Sequence, residues 1–396
     1  MNAARNFIAC RTPDFCLLIY VLTATVGLFT GGIWASFGIG AALVLFFGVW
    51  FAERRAPLPD RQLILFAGVV LLVATVLNLQ SLEPRLSWHT WLQLATIFLP
   101  LCLFANPGIQ KRAASAQFFD ILPVAAAIGL VAISLELLAE GPLLKFHRGP
   151  AAQLYQYNRG FSYMVILAFP ILASLWVRKR RWFVLPFIAL LFVPANYTES
   201  RAAKLALMLA LAVTFAAYVL PVFTRWTLAL ACMTLLAWPF AAQALFLHHR
   251  ELVYRLPPSW QDRIEIWDYI SYRILEKPVL GWGLGTSAIL PFEQPHGAQY
   301  HFRLAQAPHP HNALLQLWVE LGLAGVALGI GFLLLVLFRT RNLRPDVAPF
   351  ALGALTASLC LSLIAYNLWS DSLWAAFALC AFVFALLERQ NGKKPF

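Results

Sequence analysis

Two histidines stand two residues apart at the head of HPHNALLQLWVELGLAGVALG, residues 309–329, where a polar stretch gives way to a long apolar run. A neutral imidazole at a membrane boundary can accept a proton at physiological pH, as a general base must. His311 follows Pro310 and precedes the apolar run, so the positive end of the coming helix faces it and favours the neutral ring. It is the candidate catalytic base; the alternative is an interfacial histidine that only caps the helix. His309 is a weaker candidate of the same kind, and Asn312 a supporting one. The pair could in principle bind a metal, but no third ligand follows at fixed spacing, so no metal site is expected.

Glu320 lies nine residues into the run, about 13 Å below its start at about 1.5 Å per residue. A carboxylate at that depth must face protein, find a partner or stay protonated, and internal packing is the expected role. Gly322, Gly325 and Gly329 read as a smooth strip for a packed neighbour.

Three arginines stand in segments that the topology below puts outside: Arg201 in NYTESRAAKLAL, Arg263 in SWQDRIEIWDYISYRILEKP, and Arg159 in YNRG. Guanidinium groups converging at a membrane boundary suit a diphosphate, since each offers paired hydrogen bonds and a fixed charge. Lipid headgroup binding or local pairing with Glu199, Glu265 or Asp268 is the alternative. GWGLGT, residues 281–286, lacks the strand and the Lys-Ser/Thr ending of a phosphate loop and reads as a flexible turn. Closely paired acids are absent outside, which disfavours a divalent metal on the diphosphate and leaves that work to arginine. No cofactor is expected.

These groups are set among membrane helices. The 396 residues are 61% hydrophobic and 12% charged, with a mean hydropathy of +0.71, far from the range of soluble globular chains. The expected fold is an all-α polytopic integral membrane protein, one transmembrane domain over 1–396. Its spans fall near 15–31, 34–51, 62–78, 91–105, 118–139, 161–177, 182–194, 204–221, 226–247, 311–338, 347–366 and 373–387. The first two read as a retained helical hairpin rather than a cleaved signal peptide. With both termini cytoplasmic, the inner segments collect Arg5, Arg11, Arg54, Arg55, Arg61, Lys111, Arg112, the run Arg178 to Arg181, Arg225, Arg339, Arg341, Arg344, Arg389 and the Lys393–Lys394 tail. Topology therefore explains most of the +12 net charge, and nucleic acid is not an expected partner. Residues 248–310, between spans nine and ten, form a long outer loop. Within it Ser259 and Asp262 are spaced as a capping box, and Ile264, Trp267, Ile270 and Ile274 recur at helical intervals up to Pro278, so an amphipathic helix on the outer membrane surface is expected. The cysteines at 10, 16, 102, 232, 360 and 380 form no CxxC pair and predict neither disulfides nor a metal site.

In order, SRAAKLAL, RIEIWDYISYRILEKPVLGWGLGT and HPHNALLQLWVELGLAGVALG resemble the O-antigen ligase family of bacterial inner-membrane glycosyltransferases, in a superfamily with O-antigen polymerases and pilin oligosaccharyltransferases. The resemblance covers about 196–329; the first five spans match only in hydropathy. It implies a glycosyltransferase C-type fold and a periplasmic active site. The implied reaction moves polysaccharide from undecaprenyl diphosphate to a sugar hydroxyl of the lipid A core. Carried over by motif, His311 would be the base, and Arg201 and Arg263 would bind the diphosphate, with Arg159 a looser match. No carboxylate nucleophile stands beside His311, which favours a single inverting displacement. A polymerase would use the same donor, and pilin-modifying members generally carry extra length beyond this core. A lipid-linked sugar transporter would instead need midplane charges and broken helices in related halves, whereas Glu320 is the single deep charge and no repeat is visible.

Overall fold

The computed structural model describes residues 2–57, 61–113, 115, 117–291, 300 and 309–389, without the side chains of 2–10 and 112. The Lys393–Lys394 tail, the side chains of Arg5, Cys10 and Arg112, and most of 292–308 in the expected outer loop lie outside the described residues. Among those described the chain is helical, with no strand. The helices are α1 (Asn2–Phe29), α2 (Ile33–Glu53), α3 (Arg61–Asn78), α4 (Pro84–Phe104), α5 (Pro107–Ala113), α6 (Phe118–Leu138), α7 (Pro142–Arg148), α8 (Asn158–Val177) and α9 (Val184–Tyr197). They continue with α10 (Arg201–Val219), α11 (Pro221–Thr234), α12 (Trp238–His248), α13 (Arg250–Val253), α14 (Pro258–Glu276), α15 (Ala313–Arg339), α16 (Ala348–Ile364) and α17 (Asp371–Arg389). Ten segments among the described residues are long and apolar enough to cross a membrane, and the expected seventh and eleventh spans fall on the shorter apolar helices Arg181–Tyr197 and Ala348–Ile364.

Polar contacts sort the helix ends into two groups. At one end Arg178 and Arg180 of the α8–α9 turn pair with Asp120 at 2.9 and 2.8 Å. Nearby contacts join Arg225 to Thr340, Arg339 to Gln62, Arg344 to Glu388 and Arg389 to Gln110. At the other end Ser372 donates to the Gly32 carbonyl, Tyr366 reaches Ser162, and Ser87 donates to the Leu284 carbonyl. The arginine-rich group lies opposite the candidate site, and the described start of α1 and end of α17 both fall with it. α8 is the axis of the core, buried without interruption from Gly160 to Leu175 and enclosed by α1, α6, α10, α16 and α17.

Three expectations need correction. The helix over 258–276 starts at Pro258, because proline at the first helical position loses no hydrogen bond, so Ser259 and Asp262 form no capping box. Every residue from Ile264 to Ser271 is buried, on both faces, so α14 is enclosed by α12, α15 and the following turn and does not lie open on a membrane surface. The tenth span is not one straight helix either. Gly322 has φ 60° and ψ −157°, a conformation reserved for glycine, and breaks α15 into arms 313–321 and 323–339.

At the break, helical hydrogen bonds pass to the turn after α14. Trp282 N donates to the Val319 carbonyl at 2.8 Å, Gly283 N to the Glu320 carbonyl at 2.9 Å, and Leu323 N to the Pro278 carbonyl at 3.0 Å. A Cβ on Gly329 would fall 2.5 Å from Leu317 Cδ1, although twelve residues of straight helix would separate the two by about 18 Å. The first arm therefore turns back over the second, and the glycine strip receives this arm rather than a separate helix. The depth reckoned for Glu320 from an unbroken rise does not apply.

A side chain at 322 is excluded twice, by φ and by a Cβ position 2.1 Å from the Val279 carbonyl oxygen. Gly322→Ala is expected to lose about 3 kcal/mol or more of stability. Gly331→Ala, on the second arm with open space around it, should change stability by about 1 kcal/mol or less. Thermal unfolding of both variants in detergent checks this; equal midpoints would contradict the break.

Candidate functional site

The site gathers around the last carbonyls of α16, which no helical N–H can reach. Ile364 O accepts from Arg263 Nε at 3.0 Å, and Ala365 O from His311 Nδ1 at 3.0 Å. A carbonyl only accepts, so Nδ1 carries the ring hydrogen and His311 Nε2 is left as an acceptor. His311 has φ +53°, rare for a non-glycine residue and a form of strain that collects at functional sites. It does not cap α15. That role belongs to Asn312, whose Oδ1 accepts from Leu314 N and Leu315 N at 3.0 and 3.1 Å. The approach is pinned by Trp267 Nε1, which donates to the Pro310 carbonyl at 3.0 Å.

The ring of His309 packs on that of His311 with centroids 4.1 Å apart, and its Nε2 is buried without a hydrogen-bond partner among the described residues. Arg263 also donates from Nη1 to the Ser259 carbonyl, and its guanidinium leans over Trp260. No carboxylate among the described residues pairs with it at salt-bridge distance.

Arg159 is the second residue of α8, its stem laid against Gly31. Glu136 fixes this entry to α8 by accepting from Leu143 N, Leu144 N and, at 2.8 Å, Tyr157 Oη. The structure thus brings His309, His311, Arg263 and Arg159 together. Arg201 stands apart. It opens α10 behind Ser200, whose Oγ accepts from Ala203 N, and its side chain is exposed. Thr214 abuts Gly353 where α10 runs antiparallel to α16. Thirteen residues of rise, about 20 Å on each helix, then bring Arg201 level with Tyr366, at the same end of the bundle but without a hydrogen bond to the other four.

Electrostatics keep both rings neutral. Burial lowers the pKa of His309 to about 3, helped by His311, Arg159 and Arg263 and opposed by the Ala365 carbonyl. Burial also lowers His311 below its ordinary 6.5, with Ala365 opposing and Arg263 assisting. Burial lowers Arg263 from 12.5 against the pull of Asp262, and a guanidinium with that starting point stays charged at neutral pH.

Several contributors carried no sequence signal. The carbonyls of Ile364 and Ala365 belong to apolar residues at the end of an apolar helix. Glu320 is fully buried, and its carboxylate accepts from Gly285 N at 2.6 Å, Trp369 Nε1 at 2.6 Å and Gln316 Nε2 at 3.2 Å, so it links three segments rather than filling space. The glycine-rich turn is fixed, not flexible. Each N–H from Gly281 to Thr286 donates within the protein, and none is left for a phosphate. Among the described residues no group of three or more His, Cys, Asp or Glu side chains could hold a metal ion.

Fold and site together define a polytopic helical membrane protein with a cluster of neutral imidazoles and guanidinium groups at one end of its bundle. Residues 187–330 match the model of the family described as O-antigen ligase. A protein of Rickettsia bellii, named provisionally as a polysaccharide ligase, is 24% identical over 327 residues, 78% of this chain and 77% of its own length. Proteins of Rickettsia conorii and Rickettsia prowazekii with the same provisional naming are 29% and 30% identical over 125 and 119 residues. These two matches span 30% and 28% of either chain, less than a third of each relative's length. The likeness to the O-antigen ligase family lies in residues 187–330, the region that holds the motifs. The family segment contains Arg201, Arg263, His309 and His311 and leaves Arg159 and α16 outside.

Both rings are held neutral when folded, whereas unfolded histidine titrates near 6.5, so as pH falls the unfolded state binds protons first. The stability they contribute is complete above pH 6.5 and declines below it, for His309 down to about 3. Melting temperature is expected to drop below pH 6.5 more steeply in the native protein than in His309→Gln. Equal slopes would mean that the ring is not held neutral.

Proposed function

We propose that the protein is an O-antigen ligase, a glycosyltransferase that moves a polysaccharide from undecaprenyl diphosphate to a sugar hydroxyl of the lipid A core. The observation that carries this reading is the pairing of an imidazole fixed through Nδ1 with a guanidinium fixed through Nε, side by side on consecutive carbonyls of α16. In the proposed step the acceptor hydroxyl gives its proton to His311 Nε2 while its oxygen bonds to the anomeric carbon. The bond from that carbon to the diphosphate oxygen breaks, and the electron pair leaves with the diphosphate. Arg263 has two of its five N–H donors engaged by the Ile364 and Ser259 carbonyls, and the remaining three are directed to the departing diphosphate. Arg159 and Arg201 add charge on either side, and His309 keeps the His311 ring in place. Electrostatic stabilisation of the leaving group is then done by guanidinium charge, with inversion at the anomeric carbon.

The arginine-rich end supports a cytoplasmic orientation for itself and both termini, which turns the His311 end, α14 and the 248–310 loop toward the periplasm of the bacterial inner membrane. Nucleotide-activated sugars are scarce there, and a glycan already activated on a lipid diphosphate meets that constraint. The lipid carrier and the lipid A anchor both reach the site from the surrounding membrane lipids.

The test is transfer by the purified protein in nanodiscs, given undecaprenyl diphosphate-linked glycan and lipid A core, with and without chelator. His311→Ala is expected to lower the rate by about 10²- to 10⁴-fold. The acid limb of kcat/KM should lie below pH 6.5, since the His311 ring is held neutral by burial. Undiminished transfer in His311→Ala would refute the base, and a retained anomeric configuration would refute the single displacement.

A further inference from the structure

We propose that Glu320 is a positioning residue for both His311 and Arg263, acting through the connection between α16 and α17. This rests on the reading of His311 as base and Arg263 as diphosphate ligand. The peptides after Ile364 and Ala365 lie at the end of the α16 ladder, so the directions of their carbonyls are set by the turn that follows. That turn has two anchors. On one side Tyr366 Oη meets Ser162 Oγ at 2.8 Å, which ties it to α8. On the other, Gln316 Oε1 accepts from Leu368 N at 2.9 Å while Gln316 Nε2 donates to Asn367 Oδ1 at 2.9 Å and to Glu320. Asn367 Oδ1 also accepts from Trp369 N at 2.8 Å, and Trp369 Nε1 donates to Glu320 Oε2.

Glu320 therefore holds Gln316 and Trp369, these hold 367–369, and 364–365 hold the imidazole and the guanidinium. A carboxylate used only for packing would leave a burial penalty that an apolar side chain avoids. Here every partner of the carboxylate can donate: Gln316 from the first arm of α15, Gly285 and Ser287 from the glycine turn and the residues after it, and Trp369 from the segment before α17. In Glu320→Gln the new amide would set one N–H₂ against the donor of a neighbour. Trp369→Phe removes a single hydrogen bond from a ring of similar shape.

The experiment measures kcat and KM for transfer in both variants, normalised to folded protein, together with the pH dependence of diethyl pyrocarbonate modification of His311, localised by fragment-ion mass spectrometry. The charged and titratable groups around the two rings are Arg263 from α14, which acts on both, and Arg159 from α8, which acts on His309, the ring stacked on His311. Loosening Ala365 is expected to lower kcat by up to about 10²-fold, raise KM for the lipid diphosphate, and move the modification midpoint downward, further below the ordinary histidine value, because the contact that favours a proton on the ring is weakened. Unchanged kcat, KM and midpoint in folded variants would overturn the proposal. If the native protein transfers no glycan, the proposed reaction fails, but the midpoint shift still decides the positioning role. If Glu320→Gln does not fold, Trp369→Phe decides it alone.

Discussion

The break at Gly322 is the constraint on which the rest of this end of the molecule depends. A helix that stops inside a protein leaves carbonyls to be satisfied, and here those of Val319 and Glu320 take N–H groups from Trp282 and Gly283. The two backbones then approach so closely that a Cβ on Gly281 would fall 2.5 Å from the Glu320 carbonyl. This contact ties the far end of α14 to the far end of the first arm of α15. Their near ends carry Arg263 and His311, and these meet at one further point, the end of α16. Two helices joined at both tips have little freedom to slide, so the spacing of imidazole and guanidinium is fixed by backbone hydrogen bonds remote from either.

Holding a neutral base among cations needs no special device in this arrangement. Burial disfavours the charged ring, and each nearby guanidinium pushes in the same direction. The opposing influence is the Ala365 carbonyl, which favours a proton on the ring as a whole while choosing Nδ1 for the one hydrogen that stays. A single contact thus selects the tautomer and limits how far the pKa falls. His309 shares these surroundings, its Nε2 is buried without a hydrogen-bond partner among the described residues, and burial lowers its pKa to about 3.

Hydropathy made the spans legible, because a membrane helix must be apolar over its full length whatever it packs against. The break was not legible, since the run from Ala313 to Arg339 is uninterrupted and glycines at 322, 325 and 329 fit a packing strip equally well. What distinguishes Gly322 is its neighbour at Val279, more than forty positions earlier in the chain. The capping box at Ser259 and Asp262 failed for a local reason, as Pro258 offered an earlier start. Arg263 and His311 were recognisable by type and position, while the carbonyls that orient them have no side-chain signature. Arg201 was read as part of one pocket; it stands at the same end of the bundle, but no hydrogen bond among the described residues brings its side chain to the others.

The end of α16 is an unpromising place for an anion, because the last carbonyls of a helix carry the negative pole of its dipole. A diphosphate brought there would meet Ile364 and Ala365 with like sign. The two side chains change that sign by using one edge each on the carbonyls and keeping the other edge outward. Arginine can do this because its donors are spread around a rigid plane, so Nε serves Ile364 and one Nη1 hydrogen serves Ser259 while three Nη hydrogens are left to face outward. Lysine, with its charge at one point, would either satisfy the carbonyl or face the ligand. Histidine divides its roles the same way, Nδ1 inward and Nε2 outward. The helix terminus thereby supplies two fixed anchors without presenting its own charge, and the surface above it becomes basic in both senses: it carries positive charge and can accept a proton.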